Sequence, residues 1–440
     1  MAELQVWMNG QAVGSWREDR QGPRLTYTES WTDSPQGRPI SLSLPLLPYG
    51  QSHRGAVVRD YFDNLLPDNE AIRRRIRDRF STASTSAFAL LEAIGRDCVG
   101  AVQLLPPGHP PRAVDTIQAR PLDEAEAAAL LRGVTAPVLP GWHQGVLDEF
   151  RLSLAGAQEK TALLWHQDAW CIPEGTTPST HIFKLPLGLV GNMRADMTTS
   201  VENEWLCMQL LAAFDIPVAA TALGRFEDQR CLIVERFDRR LAPDRRWWIR
   251  LPQEDMCQAF GLPPGKKYET DGGPGIVAIM DLLRQSTSPT DRETFFKSQL
   301  LFWLLAATDG HAKNFSLTIE PGGRFRMTPL YDVLSVYPIL GHKAGLLDPH
   351  DAQLAMAVAG KNRHRRLGDI RRRHWNATAR ACGVRAGADP WIESLLARID
   401  PAIQQVQALL PADFPAQVSQ PIFEGLRQAG ARLAAMPPDA

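Results

Sequence analysis

Several patterns that would assign this sequence to a special class are missing from it. None of the six cysteines forms a Cys-x-x-Cys pair or stands with histidines at metal-ligand spacing, so we do not expect a zinc site. No apolar stretch approaches the roughly 20 residues that cross a bilayer, and the opening MAELQVWMNG lacks the order of a signal peptide. The net charge of −1 draws the chain neither to nucleic acid nor to a membrane. The sequence predicts a cytoplasmic protein with buried, reduced cysteines and no membrane association.

The rest of the composition is that of an ordinary globular protein. Of the 440 residues, 44% are hydrophobic and 22% are charged, which is typical of soluble domains. A chain of this length can build two or three domains, each with a substantial core. We find no internal repeat, so a repeat architecture is not expected.

The first residues show strand signals and then a helical one. LQVWMNGQAVGSW alternates around Asn9-Gly10 and predicts a hairpin. PISLSLPLL, over residues 39–47, alternates as well and predicts another strand. DYFDNLLPDNEAIRRRIRDRF, over residues 60–80, has a helical pattern with arginines on one face.

Two further helices lead to a domain boundary. SAFALLEAIG predicts a helix capped by Ser86 and ended by Gly95. A short acidic helix is predicted near residues 122–132, after a stretch rich in proline and glycine. We place the boundary at about residues 140–150.

After the boundary the order of elements becomes informative. FRLSLAGAQEKTALLWHQDAWCIP predicts strand, loop, strand, turn and strand, and THIFKLP predicts a strand that carries Lys184. SVENEWLCMQLLAAFDI predicts a helix, and TALGRFEDQRCLIVERF predicts two strands that meet at a charged turn. The remainder is predicted to be helical except for one hairpin that turns at residues 321–323. A small β-rich lobe with one helix therefore precedes a larger helical lobe.

The residues that carry chemistry lie around the stretch AATDGHAKNFSLTI. Asp309 follows an apolar run that predicts a core helix, Asn314 comes five residues later, and the hairpin leads to Asp332. Phosphoryl transfer needs an acid to accept the proton of the attacking hydroxyl, and oxygen ligands that hold magnesium. Protein kinases supply these groups in the same order along the chain. The pattern predicts Asp309 as the catalytic base or as the residue that orients the attacking hydroxyl, with Asn314 and Asp332 as magnesium ligands.

A single Asp-x4-Asn match is common, and both residue types are ordinary in turns. The elements upstream support the kinase interpretation by their order. The strand–loop–strand of SLAGAQEKTALL could cover phosphates with backbone N–H groups, although it has one glycine where a Gly-rich loop has three. Lys184 stands where a phosphate-contacting lysine is expected, and Glu202 or Glu204 on the next helix could pair with it. Taken singly, a strand lysine and a helix glutamate are more often solvated.

Seven segments together resemble the HipA family, the serine/threonine-kinase toxins of bacterial type II toxin–antitoxin systems. They are FRLSLAGAQEKTALL, THIFKLP, IVERFDRR, RLPQEDMCQAFGLP, DGGPGI, TDGHAKNFSL and TPLYDVLS, and SLSLPL, FDNLLPDN and LLEAIGRDCVGAVQL resemble the family's N-terminal domain. The resemblance implies an α+β, protein-kinase-like fold of two lobes with an N-terminal α+β subdomain. The implied division is residues 1–148 for the N-terminal subdomain, 149–255 for the small lobe and 256–440 for the helical large lobe.

The resemblance also implies the roles of individual residues. Asp309 would be catalytic, Asn314 and Asp332 would hold Mg²⁺, and Lys184 would contact the phosphates of ATP. An isolated loop histidine such as His311 is more often structural than catalytic, whereas Lys313 could stabilise the transferring charge. The implied ATP-binding residues are Ala155, Gly156, Ala157, Gln158, Glu159, Lys160, Lys184, Glu235, Arg236, Phe237, His311, Ala312, Lys313, Asn314, Tyr331 and Asp332.

Ser153 aligns with the serine that the family autophosphorylates. A phosphate there adds nearly two negative charges beside a loop that must approach ATP, so it would silence the enzyme. Without the family, an ordinary strand serine would be the simpler interpretation.

The resemblance implies partners as well. Family members are neutralised by a helix-turn-helix antitoxin, HipB-like, with which they repress their own operator DNA. The arginine-dense run KNRHRRLGDIRRRHWNATAR could contact DNA phosphates, with Arg380 as a candidate contact, or it could be a solvated helix face. The best-known target class is aminoacyl-tRNA synthetase, notably the glutamate enzyme, and its phosphorylation stops translation and promotes persistence.

Two other functions stay open. A small-molecule phosphotransferase of the antibiotic- or choline-kinase type would share the same acid and amide. A non-catalytic binding protein would serve repression alone, but the loss of at least one of Asp309, Asn314, Asp332 and Lys184 would be expected of it.

Overall fold

The structure is a computed structural model that describes residues 2–48, 50–135, 158–191 and 194–437. It mixes helix and sheet, and the chain divides into two compact units of three segments each. Unit 1 comprises Met1–Leu185, Gly224–Lys266 and Ser316–Phe325, and unit 2 comprises Pro186–Leu223, Lys267–Phe315 and Arg326–Ala440. The predicted boundary near residue 148 lies outside the described residues, and the predicted division into three ranges stays a prediction.

The helices and strands of the described residues are as follows. The strands are β1 (Ala2–Met8), β2 (Gln11–Asp19), β3 (Gly22–Tyr27), β4 (His53–Arg54), β5 (Gln103–Leu105), β6 (Ala119–Pro121), β7 (Lys160–His166), β8 (Ala169–Pro173), β9 (His181–Lys184), β10 (Gly188–Val190), β11 (Ala195–Met197), β12 (Thr221–Phe226), β13 (Gln229–Glu235), β14 (Arg239–Leu241), β15 (Trp248–Arg250), β16 (Gln253–Asp255), β17 (Ser316–Ile319), β18 (Phe325–Met327), β19 (Gln353–Ala359) and β20 (Arg363–Arg366). The helices are α1 (Glu29–Thr32), α2 (Ala56–Asp63), α3 (Glu70–Phe80), α4 (Ala87–Ile94), α5 (Glu124–Thr135), α6 (Ser200–Ala213), α7 (Met256–Ala259), α8 (Ile276–Leu282), α9 (Asp291–Leu304), α10 (Arg372–Ala381), α11 (Asp389–Leu396), α12 (Ile399–Gln407) and α13 (Ala416–Ala434).

Unit 1 begins with a five-stranded sheet in the order β4-β3-β2-β1-β5. The predicted first hairpin is confirmed, because β1 and β2 pair antiparallel around Asn9 and Gly10. Both turn residues have positive φ angles, of 47° and 82°, as the tight turn of a two-residue hairpin requires. The inner face of the sheet packs on the helices, and the ring of Trp16 stacks on Phe62 with centroids 4.0 Å apart. This sheet and its helices form the N-terminal core.

Two of the predictions for this region need correction. The predicted strand over residues 39–47 is wrong, because Leu44 N donates to Ser41 O and closes a tight turn. Ile40 and Leu44 are both buried in this turn, as they would be on one face of a strand. Their alternation therefore does not distinguish a turn from a strand. The helical pattern over residues 60–80 is two helices, α2 and α3, since Pro67 in the connection cannot continue a helix. The helix capped by Ser86 is confirmed as α4.

The second sheet of unit 1 has the order β12-β13-β9-β7-β8-β6. The strands predicted over FRLSLAGAQEKTALLWHQDAWCIP, THIFKLP and TALGRFEDQRCLIVERF are confirmed as β7, β8, β9, β12 and β13. The first strand predicted there, which begins at Phe150, lies outside the described residues. Gln167 and Asp168, both with positive φ, form the turn between β7 and β8. A small third sheet places β17 between β16 and β18, so a late segment of the chain completes unit 1.

Unit 2 is mainly helical. The apolar run before Asp309 is confirmed as a core helix, α9, which is buried on all sides from Ser298 to its end at Leu304. There Trp303 Nε1 donates to Leu367 O at 3.1 Å. The prediction of a single hairpin in this half is wrong, because β19 and β20 form another. The segment QLAMAVA of β19 is apolar without alternation and β20 is basic throughout, so neither strand shows the period of two.

The six cysteines are buried thiols: Cys98, Cys171, Cys207, Cys231, Cys257 and Cys382. Across the described ranges, every helix is too short or too polar to cross a membrane.

Candidate active site

The predicted catalytic loop starts just beyond α9. Asp309 and Gly310 begin a tight turn in which His311 N donates to Asp309 O at 2.8 Å and Asn314 N donates to His311 O at 3.0 Å. Gly310 is required here, because a Cβ at this position would collide with the ring of Phe302. The close packing of the loop on α9 therefore explains why a glycine follows Asp309.

The side chain of Asn314 joins the predicted acids. Its Nδ2 donates to Asp309 O at 3.0 Å and to Asp332 O at 3.2 Å. Next to it, the hydroxyl of Tyr331 donates to Lys313 O at 2.8 Å. The structure thus brings Asp309, Asn314 and Asp332 together, although Asp332 follows 18 residues after Asn314.

Asp332 itself has an unusual backbone. Its φ angle is +64°, a region that residues other than glycine seldom adopt and that is often found at functional sites. The segment after it is anchored by Asn203, a buried residue in the first turn of α6. Asn203 Nδ2 donates to Ser335 O at 2.8 Å, and Ser335 N donates back to Asn203 Oδ1 at 2.9 Å. This two-way bond fixes the strained segment and was not predicted from the sequence.

The carboxylate of Asp309 is accessible. Its side chain is 63% exposed, and Oδ2 lies 4.0 Å from His311 Nε2. Oδ1 accepts a hydrogen bond from the hydroxyl of Tyr268 at 2.5 Å. The rings of Tyr268 and His311 meet edge to face, with centroids 5.0 Å apart. Sequence reasoning missed Tyr268, which lies 41 residues before Asp309 and shows no local pattern.

The donor set at this loop fits a magnesium ion. Both bonds from Asn314 Nδ2 are made within the site, so Oδ1 is the atom that the amide can offer to a cation. Among the described residues no donor bonds to this Oδ1, and magnesium prefers hard oxygen ligands, keeping waters and phosphate oxygens for the rest of its shell. No cluster of three or more histidine, cysteine, aspartate or glutamate side chains suited to a metal occurs in the described ranges, so an all-protein cage is not what this site offers.

The predicted phosphate-contacting residues of unit 1 also converge. Lys160 on β7 and Lys184 on β9 are directly opposite each other, so their side chains share one face of the sheet. Leu185 N donates to Glu159 O at 3.3 Å, and Gln158 Nε2 donates to Leu185 O at 2.6 Å. This end of the predicted loop is therefore fixed beside Lys184.

The hinge residues predicted to meet adenine differ in environment. Glu235 is exposed at the end of β13 and Phe237 is half-buried. The side chain of Arg236 is buried instead, with Nη2 donating to Asp238 Oδ2 and to Cys98 O, both at 2.8 Å. The backbone of Arg236 is engaged as well, since its N donates to Thr180 O at 2.9 Å and its O accepts from Arg239 N at 3.1 Å. The structure therefore leaves Glu235 as the accessible member of this predicted hinge.

Arg236 belongs to a buried ionic cluster around Asp97. Arg239 Nη2 lies 3.0 Å from Asp97 Oδ1, and Arg250 contacts the same oxygen. Ser179 Oγ donates to Asp97 Oδ2 at 2.6 Å. Burial by itself would raise the pKa of Asp97, but the three arginines hold that pKa well below its usual range. The cluster is structural, since each member is engaged with another part of unit 1.

Four of the predicted site residues lie outside the described residues: Ser153, Ala155, Gly156 and Ala157. The remaining ones fall in one or the other unit. Those in unit 1 are Gln158, Glu159, Lys160, Lys184, Glu235, Arg236 and Phe237, and those in unit 2 are Asp309, His311, Ala312, Lys313, Asn314, Tyr331 and Asp332.

The arginine-dense run is partly engaged with acids. Arg363 and Arg365, on β20, each lie 3.0 Å from an oxygen of the buried Glu269, and Arg372 pairs with two acids of α11. Arg380 is exposed on α10, and the predicted packing positions are buried: Ile370, Trp375 and Ala379. The run is therefore neither a uniform helix face nor a uniformly free basic patch.

Comparison with known proteins identifies the family. Residues 4–105 match the HipA N-terminal domain family, and residues 152–405 match the HipA-like C-terminal domain family. A putative kinase of Sinorhizobium fredii, Y4mE, is 36% identical over 352 residues, covering 78% of this chain and 80% of the relative. The serine/threonine-protein kinase toxin HipA of Shewanella oneidensis is 30% identical over 345 residues, covering 76% of this chain and 72% of the toxin.

A solved structure agrees over nearly the whole chain. It is HipA of Shewanella oneidensis MR-1 in a complex with HipB and operator DNA, and it matches with a TM-score of 0.78 and 25% identity over 98% of each chain. The fold is thus α+β and kinase-like, as predicted. The family matches, the identities and this structure agree, and the chain therefore belongs to the HipA family of serine/threonine-kinase toxins.

Proposed function

We propose that this protein transfers the γ-phosphate of ATP, with Mg²⁺, to a serine or threonine hydroxyl of a protein that serves translation. The observation that carries the proposal is the grouping of Asp309, Asn314 and Asp332, in which the amide of Asn314 bonds to the backbone of both acids. An acid, an amide and a second acid in this order are what phosphoryl transfer from a nucleotide uses.

Each side chain then has a defined task. The exposed Oδ2 of Asp309 accepts the proton as the acceptor oxygen bonds to the γ-phosphorus, while the bond from that phosphorus to the bridging oxygen breaks and ADP leaves with the electron pair. Asn314 Oδ1 and the Asp332 carboxylate would hold Mg²⁺, which when bound neutralises charge on the phosphates. The strained backbone of Asp332, held through Ser335, keeps that carboxylate in place.

The lysine pair of unit 1 supports the binding of a nucleotide. Lys160 and Lys184 are opposite each other on neighbouring strands, and Lys184 is 7% exposed. A lysine ammonium binds phosphate as a compact positive charge, and two such groups on one face of the sheet would give a triphosphate two contacts. The backbone near Glu235 and the ring of Phe237 would meet the adenine.

Autophosphorylation of Ser153 is part of the proposal. The serine lies a few residues before Lys160 in the chain, and a phosphate there would add about two negative charges near the residues that bind ATP. Modified protein is then expected to be inactive, so that the kinase limits its own activity.

We further propose that the protein inhibits growth, promotes persistence and is neutralised by a helix-turn-helix antitoxin, with which it represses its own operon. The neighbour of known structure is described as a complex of HipA, HipB and operator DNA, which supports both partners. Exposed arginines near Arg380 would contact the DNA phosphates in such a complex. The proposed target is an aminoacyl-tRNA synthetase, with the glutamate enzyme first to be tested.

Incubation of the purified full chain with γ-³²P-labelled ATP tests the proposal, with and without Mg²⁺ and with glutamate–tRNA ligase as acceptor. We expect label on the synthetase and, by mass spectrometry, on Ser153, and neither without the metal. Asp309→Asn should lose both signals, whereas Asp281→Asn should keep them. It removes another exposed carboxylate, which pairs with Arg284.

Label that persists in Asp309→Asn would contradict the mechanism. Label that appears on a small metabolite and on no protein would move the chain to the small-molecule phosphotransferases. Label on a different protein of a bacterial extract would keep the kinase and replace its target.

A further inference from the structure

Tyr268 contacts the carboxylate of Asp309, although it belongs neither to the loop of that residue nor to the hairpin that leads to Asp332. Its hydroxyl donates to Asp309 Oδ1 at 2.5 Å. The other carboxylate oxygen, Oδ2, lies 4.0 Å from His311 Nε2, and the side chain as a whole is 63% exposed. The two oxygens of the acid therefore differ, because Oδ1 is bonded to a neutral hydroxyl and Oδ2 is 4.0 Å from a ring nitrogen, beyond hydrogen-bond distance.

The position of Tyr268 is fixed on both sides. Before it, Lys267 O accepts a hydrogen bond from Ala312 N at 3.0 Å, which ties the backbone to the catalytic loop. After it, the buried carboxylate of Glu269 accepts a bond from Ala357 N at 2.6 Å and lies 3.0 Å from Arg365. Residues 267–269 thus connect the catalytic loop with the β19–β20 hairpin.

We infer that Tyr268 is a positioning residue for phosphate transfer: its hydroxyl fixes Oδ1 of Asp309, so that Oδ2 is the oxygen presented to the acceptor hydroxyl. The inference rests on the proposed function. An exposed aspartate can rotate its carboxylate, and a charge-assisted bond from a rigid ring restricts that rotation. Misplacement of a reacting atom by about 1 Å can lower a rate by about 100-fold.

The restriction matters more for a protein acceptor than for water. A serine hydroxyl that is held by its own chain approaches from one direction and needs an oriented oxygen. A water molecule can turn to meet either carboxylate oxygen. Loss of the Tyr268 hydroxyl is therefore expected to lower transfer to protein more than hydrolysis of ATP, and to leave the KM for ATP unchanged.

Tyr268→Phe in the full chain tests this inference, with Mg²⁺ and ATP and with myelin basic protein as the acceptor probe. Label on the acceptor measures transfer, and phosphate released without acceptor measures hydrolysis. We expect the kcat of transfer to fall about 10-fold or more, the KM for ATP to stay within about two-fold, and the ratio of transfer to hydrolysis to fall about five-fold. The ratio comes from one preparation, so the folded fraction of the variant cancels.

Tyr337→Phe is the matched control, because it removes a hydroxyl that donates to Leu304 O and Gly425 O within the same unit. Its ratio should equal that of the wild type. An unchanged ratio in Tyr268→Phe, or equal losses in transfer and hydrolysis, would overturn the inference, and faster transfer would show that Tyr268 obstructs the acid. A wild-type chain that transfers label to no protein would overturn the proposed function and the inference with it.

Discussion

Asp97 in unit 1 and Asp309 in unit 2 are surrounded in opposite ways. The side chain of Asp97 is 10% exposed and is contacted by Ser179 and by three arginines: Arg236, Arg239 and Arg250. The side chain of Asp309 is 63% exposed, and Tyr268 is the hydroxyl that bonds to it. Each acid lies at a junction of segments that are distant in the chain.

The difference separates a structural carboxylate from one suited to chemistry. Cations on every side fix Asp97 in its charged form and leave no room for a substrate, so a proton or a metal cannot be exchanged there. A single neutral donor leaves one oxygen of Asp309 able to accept a proton. The fully paired Asp97 is therefore structural, whereas the exposed Asp309 is free to meet a substrate, as the proposed function requires.

The largest expected effect is on the rate of phosphate transfer, and it comes from neutralising Asp309. Asp309→Asn should lower phosphate transfer by about 1000-fold or more, because the proton acceptor is lost, while the free energy of unfolding changes by less than about 0.5 kcal/mol. Kinetics and chemical denaturation of the same preparation measure both quantities. A clear loss of stability would show that Asp309 is structural after all.

Asp97→Asn should lower the free energy of unfolding and leave phosphate transfer unchanged. Removal of the central charge leaves three buried arginines with Asp238 alone, and breaking such a pair costs about 3–5 kcal/mol. Urea denaturation measures the loss, with Asp281→Asn as a control on the surface. Transfer per folded molecule is expected to be unchanged at low temperature, and a stability equal to that of the wild type would contradict the structural role.

Glu254 sharpens the comparison, because it is a buried acid without arginines. It accepts bonds from Ser41 Oγ and Leu42 N, and burial raises its pKa to about 8, with Asp255 adding to the rise. The folded chain therefore holds a proton that the unfolded chain releases near pH 4.5. Stability from this group is complete below about pH 4.5, declines as the pH rises and is lost above about pH 8.

Glu254→Gln should remove that decline. We expect the free energy of unfolding of the wild type to drop by about 2–4 kcal/mol between pH 5 and pH 9 relative to the variant. Denaturation at pH 5, 7 and 9 measures the difference between the two proteins. Parallel curves would mean that Glu254 is charged in the folded protein at neutral pH.

The smallest expected effect concerns the anchor behind Asp332. Asn203→Ala loses both bonds to Ser335, which should cost about 1–2 kcal/mol of stability and lower transfer about 10-fold through the loosened segment. Asn203→Asp is the matched variant, since it can still accept from Ser335 N but places a buried carboxylate against Ser335 O. It should lose at least as much stability as Asn203→Ala. Equal transfer in all three proteins would show that α6 does not control the position of Asp332.

The features that local chemistry determines could be predicted from the sequence. The turn at Asn9 and Gly10 and the cap at Ser86 depend on neighbours in the chain, and the kinase-like order of Asp309, Asn314 and Asp332 lies within 24 residues. Tyr268 and Asn203 could not be found in this way. Their partners lie 41 and 132 residues away, and neither residue type in a turn or a helix indicates a distant hydrogen bond.

Other failures have the same origin in competing local patterns. The apolar alternation around Ile40 fits both a strand and the tight turn that the structure has, and contacts with Glu254 decide between them. The basic strand β20 shows no period of its own, because ion pairs with Glu269 hold it. A segment whose structure depends on one partner far along the chain need not show any hydrophobic period.

The central position of β17 has a consequence for how the chain folds as it is made. Its neighbour β16 ends at Asp255, and β17 begins at Ser316, so the ribosome needs on the order of several seconds to supply the missing strand. The third sheet of unit 1 can therefore close only after the segment between these strands, Asp309 included, has been synthesised. Unit 1 of a nascent chain would thus stay incomplete until most of the chain has been synthesised, although the bulk of its residues are made first.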